Sequence, residues 1–164
     1  MTLDDVRPVV DMSNYVWPSK DMYQVRIHIP YDDLNDTPYL DYFEETEVGF
    51  VFEHEADDEV NRTHCHMYFF GLKKARTTVD GFFRGKLRGN GDFSVSQTCG
   101  KKKRPLDLVG AWCYGTKEKL LEPKLVKGLS PEEQTWLRIE AIEFWKRISD
   151  ARNATQKKIE IISR

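Results

Sequence analysis

The run of residues 62–71 limits the possible folds of this chain more than any other stretch. It is rich in aromatic and apolar residues, contains no proline and ends in a glycine, which is typical of a β-strand. Because strand side chains alternate between two faces, His64 and His66 project from one face and Cys65 from the other. Two neighbouring imidazoles are a ready pair of ligands for a divalent metal ion. We therefore expect a metal site on this strand, the alternative being two incidental surface histidines.

Composition indicates one folded domain of ordinary size. The chain has 164 residues, 40% hydrophobic content and four tryptophans, enough to bury a core. No apolar run approaches the length of a membrane-spanning helix, and residues 1–5 do not resemble a signal peptide, so we expect no membrane association. Cys65, Cys99 and Cys113 are an odd number without paired spacing, which suits a reducing intracellular compartment and disfavours a structural zinc site.

The formal net charge of −2 hides a strong segregation of charge. Residues 31–59 contain twelve acidic and no basic residues, whereas residues 62–127 contain fifteen basic and five acidic residues. Such a chain can present a basic face to a nucleic acid while it stays nearly neutral overall. The alternative is a solvated surface of either sign.

Hydrophobic patterns predict an alternation of strands and helices. The predicted strands are residues 22–29, 47–55, the histidine strand and 93–99, and the predicted helices lie at 40–45, 77–88, within 105–121 and from Ser130 onward. This order predicts an α+β fold in which an antiparallel sheet of four to five strands is backed by helices, ferredoxin-like or RRM-like.

The predicted elements divide the chain into three parts. Residues 1–20 form an N-terminal tail that packs Tyr15 or Trp17 on the body, residues 21–125 form the main domain, and residues 126–164 form a helical extension or linker. Ser130 and a glutamate three residues later predict a capped start for the last helix.

A third metal ligand is expected from the strand that precedes the histidines. A short polar loop joins the two strands, which predicts an antiparallel hairpin. Glu53 and Glu55 share one face of the first strand, and the hairpin would return them beside His64. Either carboxylate could complete a two-histidine, one-carboxylate site with open positions, which suits Mn²⁺ or Mg²⁺. The sequence does not show which of the two glutamates is the ligand. The alternative is that both are solvated.

Tyr114 and Lys117 form a second constellation. On a helix, residues three apart lie on the same side. A phenol is a poor nucleophile unless a nearby cation or a metal-polarised electrophile assists it, and Lys117 supplies a candidate cation. Tyrosine and lysine at this spacing are common by chance, so the pair gains meaning only from the histidine strand that precedes it.

Together these two motifs resemble those of a known family. The His64-Cys65-His66 run is similar to the histidine–hydrophobic–histidine motif of HUH endonucleases, and the Tyr114-Gly115-Thr116-Lys117 run resembles their single-tyrosine motif. Their order and spacing over residues 23–121 resemble the replication-initiator (Rep) proteins of circular single-stranded DNA viruses of eukaryotes. The resemblance implies the HUH endonuclease fold and a nuclease that nicks and rejoins one DNA strand at an origin stem-loop during rolling-circle replication.

The resemblance also implies roles for individual residues. Tyr114 would attack the scissile phosphate and stay linked to the 5′ end, leaving a free 3′ hydroxyl. Lys117 would position the phosphate or stabilise its charge. A metal ion held by the histidines and Glu53 or Glu55 would orient and polarise the same phosphate.

Further positions are expected to contact single-stranded DNA. Arg26 and His28 occupy the place of the family's first motif, which usually ends in a Thr-Leu-Asn-like sequence, so origin recognition there departs from the pattern. The other candidates are basic: Lys73, Lys74, Arg76, Lys101, Lys102, Lys103 and Arg104. The resemblance further implies a location in the host nucleus. Rep proteins usually continue into a helicase with a Gly-rich phosphate loop, and since this chain has no such loop, a helicase domain is expected to follow it. The last helix is a candidate for self-association.

Two other functions compete with this interpretation. One is a non-catalytic origin-binding module on the same fold. The other is an unrelated single-strand nucleic-acid-binding domain that uses its sheet face, with His64 and His66 incidental.

Overall fold

The computed structural model describes residues 2–35, 37–56, 62–86 and 93–163. The strands are β1 Met22–Ile27, β2 Val48–His54, β3 His64–Phe70, β4 Phe93–Ser96, β5 Thr98–Cys99, β6 Arg104–Pro105 and β7 Leu125–Lys127. The α-helices are α1 Leu3–Val6, α2 Tyr31–Leu34, α3 Arg76–Lys86, α4 Leu108–Thr116 and α5 Pro131–Ser163, and short 3₁₀ helices occupy Ser19–Asp21 and Pro38–Glu44. None of these described helices has both the length and the apolarity that crossing a bilayer requires.

Five strands form one antiparallel sheet in the order β4-β1-β3-β2-β7. This confirms the predicted α+β class and the antiparallel sheet of four to five strands. β2 and β3 are direct neighbours in the sheet, as the predicted hairpin requires. From β1 to β4 the chain follows a strand–helix–strand–strand–helix–strand order.

The sheet is buried on both faces, because alternate residues of its central strands enter two separate hydrophobic clusters. On one face, Tyr23, Val51 and Phe69 pack with α3 and the 3₁₀ helix Pro38–Glu44. On the other face, Phe50, Phe52, Tyr68 and Phe70 pack with Trp112 of α4 and Leu137 of α5. The second face is the one that also carries the histidines, so α4 and α5 are the helices that border the candidate site.

The C-terminal part belongs to the same packed structure as the sheet. Residues 126–164, expected to form a helical extension or linker, begin within β7, whose Leu125 pairs with Val51 at the sheet edge. The predicted boundary after residue 125 therefore falls inside a strand. The capped start of α5 is confirmed, because the Ser130 Oγ accepts a hydrogen bond from the Glu133 N–H and the Glu133 carboxylate accepts one from the Ser130 N–H.

Other elements differ from prediction mainly at their ends. β1 stops at Ile27, the predicted strand 93–99 is split into β4 and β5, and α4 covers only nine residues. The predicted packing of the tail is confirmed, since the Trp17 ring lies 5.3 Å from that of Phe70. The end of the predicted helix 77–88 and most of the short polar loop between β2 and β3 lie outside the described residues.

Gly115 lets α4 lie directly on the sheet. A Cβ added at this position would overlap the Phe52 ring. The glycine that weakens the helix by its intrinsic propensity is therefore required by packing.

Replacing Gly115 with alanine is expected to destabilise the fold, although alanine is the better helix former. The methyl group would push α4 off Phe52, and overpacking of this kind costs about 1–3 kcal/mol. The control is Gly81→Ala in α3, where an added Cβ meets nothing within 4 Å and helix propensity should stabilise by up to about 1 kcal/mol. Urea unfolding measures both changes, and equal shifts of the two midpoints would contradict the packing argument.

Candidate metal centre

Three histidines converge on one face of the β2–β3 hairpin. His54 pairs directly with His64, and Phe52 pairs with His66, and side chains of paired residues project from the same face. The three ring centroids lie 4.5, 5.0 and 5.2 Å apart, and one nitrogen of each ring lies within 4.8 Å of the others. Imidazole nitrogens bind transition metals at about 2.1 Å, so small ring rotations would bring all three onto one ion. This group could bind a metal ion.

The third member of this group is His54 and not the expected carboxylate. Glu53 pairs with Cys65, which places its side chain on the opposite face of the sheet. There the carboxylate accepts a 2.7 Å hydrogen bond from the Tyr31 N–H and lies 3.9 Å from the Lys124 ammonium. Glu55 follows the last residue of β2 and, like Glu53, is not a member of the three-histidine group. The prediction for Glu53 is wrong because neighbouring strand residues face opposite ways.

Hydrogen bonds to backbone carbonyls fix the outer nitrogens of two of the rings. The Nε2 of His54 lies 2.8 Å from the Gly115 oxygen, and the Nδ1 of His64 lies 2.7 Å from the Arg62 oxygen. Because a carbonyl can only accept, each of these nitrogens carries the proton, which leaves Nδ1 of His54 and Nε2 of His64 with free lone pairs. Metal-binding histidines usually have their second nitrogen held in this way.

Burial keeps the three imidazoles neutral at physiological pH. It is the main cause that lowers the pKa of His54 to about 4 and the pKa of His66 to about 3, and it also lowers the pKa of His64. The positive charges of Arg26 and Lys117 lower all three pKa values in addition. Neutral imidazole is the form that binds metals, so no ligand has to lose a proton first.

Arg26 of β1 and His28, which directly follows this strand, add two further side chains to this corner of the sheet. Arg26 pairs with His66 across the β1–β3 ladder. The His28 ring lies 5.6 Å from that of His64 and its Nδ1 is 3.1 Å from the Arg62 guanidinium. All four histidines of the chain therefore gather here, on the face that the alternation of β1 predicts for Arg26 and His28.

Lys117 ends α4 beside the histidines. The helix stops at Thr116, and the Lys117 backbone has φ +53° and ψ 179°, a region occupied almost only by glycine. The prediction that Lys117 follows Tyr114 along one continuous helix is therefore wrong. Lys117 lines a cavity of about 610 Å³ together with His54, Glu55 and Trp145. Strained residues of this kind concentrate at functional sites.

Tyr114 is an exposed residue of α4 that directly precedes Gly115. Its side chain is 58% exposed, and its ring packs edge-on against Phe144 at 5.3 Å and Trp145 at 6.3 Å, both on α5. Its neighbour Gly115 supplies the carbonyl that holds His54. The tyrosine therefore directly precedes the residue whose carbonyl holds His54, while its ring packs on α5.

The predicted DNA-binding residues lie in separate places. Lys73, Lys74 and Arg76 follow the far end of β3 from His64, where Lys74 pairs with Glu45 at 3.1 Å and Arg76 donates to the Val95 carbonyl. The other basic group is exposed at and beside the tip of the β5–β6 hairpin: Lys101, Lys102, Lys103 and Arg104. DNA contact by either group remains a prediction.

Comparisons of the chain with protein-family models, with curated proteins and with solved structures found no match. The resemblance to HUH endonucleases therefore depends on the two motifs. The three-histidine group and its surroundings are independent of that resemblance, because they follow from strand register and packing.

Replacing His54 with alanine is expected to weaken metal binding, because it removes one of three ligands. Since changes around a metal ligand already cost 10- to 100-fold in affinity, we expect a loss of about 100-fold for Mn²⁺ in isothermal titration calorimetry. Glu53→Gln is the matched control on the neighbouring residue and should leave the affinity within about twofold, as should Glu55→Gln. A larger loss for either glutamine variant than for His54→Ala would restore the carboxylate as the ligand.

Proposed function

We propose that this protein is an HUH-type endonuclease that nicks and rejoins single-stranded DNA at a rolling-circle replication origin. The observation that carries the proposal is the hydrogen bond between His54 and the Gly115 carbonyl. It joins a metal-binding group to the helix of the tyrosine motif, directly next to Tyr114. Chance occurrence of the two motifs would not require them to meet in space.

The proposed reaction is a transesterification in which Tyr114 is the nucleophile. Its phenolic oxygen, after losing its proton, forms a bond to phosphorus, and the bond from phosphorus to the 3′ oxygen breaks. The leaving 3′ oxygen takes up a proton and becomes a free 3′ hydroxyl, while the 5′ end stays linked to tyrosine. The reverse reaction, with a 3′ hydroxyl as the nucleophile, rejoins strands.

Three imidazoles change the expected metal. When bound, the ion would supply Lewis-acid polarisation of the phosphate. Imidazole suits transition metals, whereas Mg²⁺ prefers oxygen ligands. Of the two ions expected from the sequence, the donor set of His54, His64 and His66 therefore favours Mn²⁺ over Mg²⁺.

The chain's own residues have separate tasks in this proposal. Lys117 holds a positive charge next to the cavity beside His54 and would stabilise the charge that develops on the phosphate. Tyr114 would turn from Phe144 and Trp145 toward the histidines, and its exposure leaves room for that rotation. The basic β5–β6 hairpin would make salt-dependent backbone contacts with the strand.

A non-catalytic origin-binding module is the second candidate. The contacts of the Tyr114 ring with α5 favour it, because a ring packed on another helix is not in position to attack. The two functions share the DNA ligand and differ in whether a covalent product forms.

Tyr114→Phe is expected to abolish a covalent protein–DNA product, because it removes the nucleophilic oxygen. The protein is incubated with Mn²⁺ and a panel of single-stranded stem-loop oligonucleotides, and adducts are separated on a denaturing gel. Tyr15→Phe, which removes a phenol bonded to Glu133 instead, should retain the adduct, and a chelator should prevent it. If the unmutated protein binds DNA but forms no adduct, the nuclease is contradicted and the non-catalytic origin-binding module is supported.

Lys117→Gly is expected to stabilise the fold and impair the reaction at once. Glycine relieves a backbone strain of about 1–3 kcal/mol, whereas loss of the cation should lower the rate of adduct formation at least tenfold, by analogy with charge-stabilising groups elsewhere. Leu120→Gly is the control, since Leu120 also has φ +53° and is 42% exposed. It should raise the unfolding midpoint without changing the rate, and a similar loss of rate in both variants would mean that loop rigidity is what matters.

A further inference from the structure

Arg26 is a cation placed against the three-histidine group, and none of the ion pairs among the described residues includes it. It lies directly opposite His66 in the β1–β3 ladder, so its side chain leaves the sheet on the histidine face, and Cβ atoms of such pairs are about 4.5–5.5 Å apart. Its Nε is buried and has no hydrogen-bond partner among the residues that the structure describes. A buried guanidinium donor left unpaired costs free energy.

The position of Arg26 is also unfavourable for the metal site itself. Arg26 lies directly opposite His66 on the histidine face, and a positive charge this close to the imidazoles repels a divalent cation. Lys117 lines the cavity beside His54 and brings a second positive charge to the same corner. Two positive side chains therefore oppose the binding of a metal ion by the histidines.

An anion shared by the metal and the guanidinium removes this conflict. It would neutralise the repulsion and accept the hydrogen bond that the Nε of Arg26 lacks. Phosphate oxygens match the guanidinium, which can donate two parallel hydrogen bonds. Glu53 does not play this part, because its side chain is on the opposite face and accepts a hydrogen bond from the Tyr31 N–H.

We propose that Arg26 and the three-histidine group form a single phosphodiester-binding site, in which Arg26 donates to the phosphate that the metal centre also holds. The choice of a phosphodiester rests on the proposed function. The consequence is that metal and DNA bind cooperatively, each weakly alone and more tightly together. Arg26 would then contact the substrate phosphate directly.

Calorimetric titration of Mn²⁺ tests this coupling. The Tyr114→Phe protein is used throughout, so that no covalent product forms, with and without a saturating ten-nucleotide oligothymidylate. We expect the oligonucleotide to tighten Mn²⁺ binding at least fivefold, within the usual range of coupling between sites, and Mn²⁺ to tighten oligonucleotide binding by the same factor.

Two substitutions of Arg26 separate its charge from its geometry. Arg26→Gln should bind Mn²⁺ several-fold more tightly without oligonucleotide and should lose the coupling. Arg26→Lys should bind Mn²⁺ alone as the parent does, because the charge is kept, and should retain only part of the coupling, because the planar fork is lost. Thermal melts confirm that both variants fold.

Arg104→Gln is the control, since Arg104 is exposed on the β5–β6 hairpin. It should weaken oligonucleotide binding while leaving both the Mn²⁺ affinity and the coupling factor unchanged. Equal or weaker Mn²⁺ binding by Arg26→Gln, with the coupling retained, would overturn the inference. If Mn²⁺ and oligonucleotide binding are coupled but the unmutated protein forms no adduct, only the proposed nuclease activity is contradicted. If the unmutated protein forms the adduct but Arg26→Gln keeps the coupling, only the role of Arg26 is contradicted.

Discussion

The register of β2 against β3 decides which chemistry this protein can perform. With His54 opposite His64, three imidazoles share a face and the acidic side chain of Glu53 is turned away. A shift of β2 by one residue would turn His54 away and bring Glu53 to the histidine face, because side chains alternate along a strand. The apolar residues hold the register in place, since the same shift would move Phe50 and Phe52, both fully buried, out of their cluster with Trp112 and onto the other face of the sheet. The hydrophobic core therefore specifies the donor set.

The register of β2 also determines where α4 lies, and α4 in turn positions the rest of the candidate site. Gly115 packs against Phe52, two residues before His54 on the same face, and its carbonyl holds the His54 ring. One glycine thus fixes the height of the helix above the sheet and the orientation of a metal ligand. The helix then ends at once, which brings Lys117 to the cavity beside the histidines. Packing and ligand geometry cannot be changed independently here.

The sequence was sufficient for the four longer strands of the sheet and for the face of the histidine strand, because both follow from local alternation. It was not sufficient for His54, whose role depends on the pairing partner rather than on its own neighbours. The acidic neighbours of His54 suggested a carboxylate as the third ligand. Strand alternation, which puts His64 and His66 on one face, also puts Glu53 and His54 on opposite faces. β7 was missed for a related reason: three residues between a proline and a glycine carry little pattern, and pairing with Val51 makes them a strand. The turn at Lys117 was missed because positive φ is unusual for lysine.

The distribution of charge determines which kind of ligand the candidate site favours. The chain is slightly acidic overall, yet two cations, Arg26 and Lys117, lie beside the three neutral imidazoles. A structural metal site would be more stable with carboxylates around it, because they offset the charge of the ion. An assembly that places positive side chains around a cation site is suited to an anionic ligand that arrives from outside. A phosphodiester has the required charge and oxygen atoms, and it would bring the metal, Arg26 and Lys117 together around one phosphorus atom.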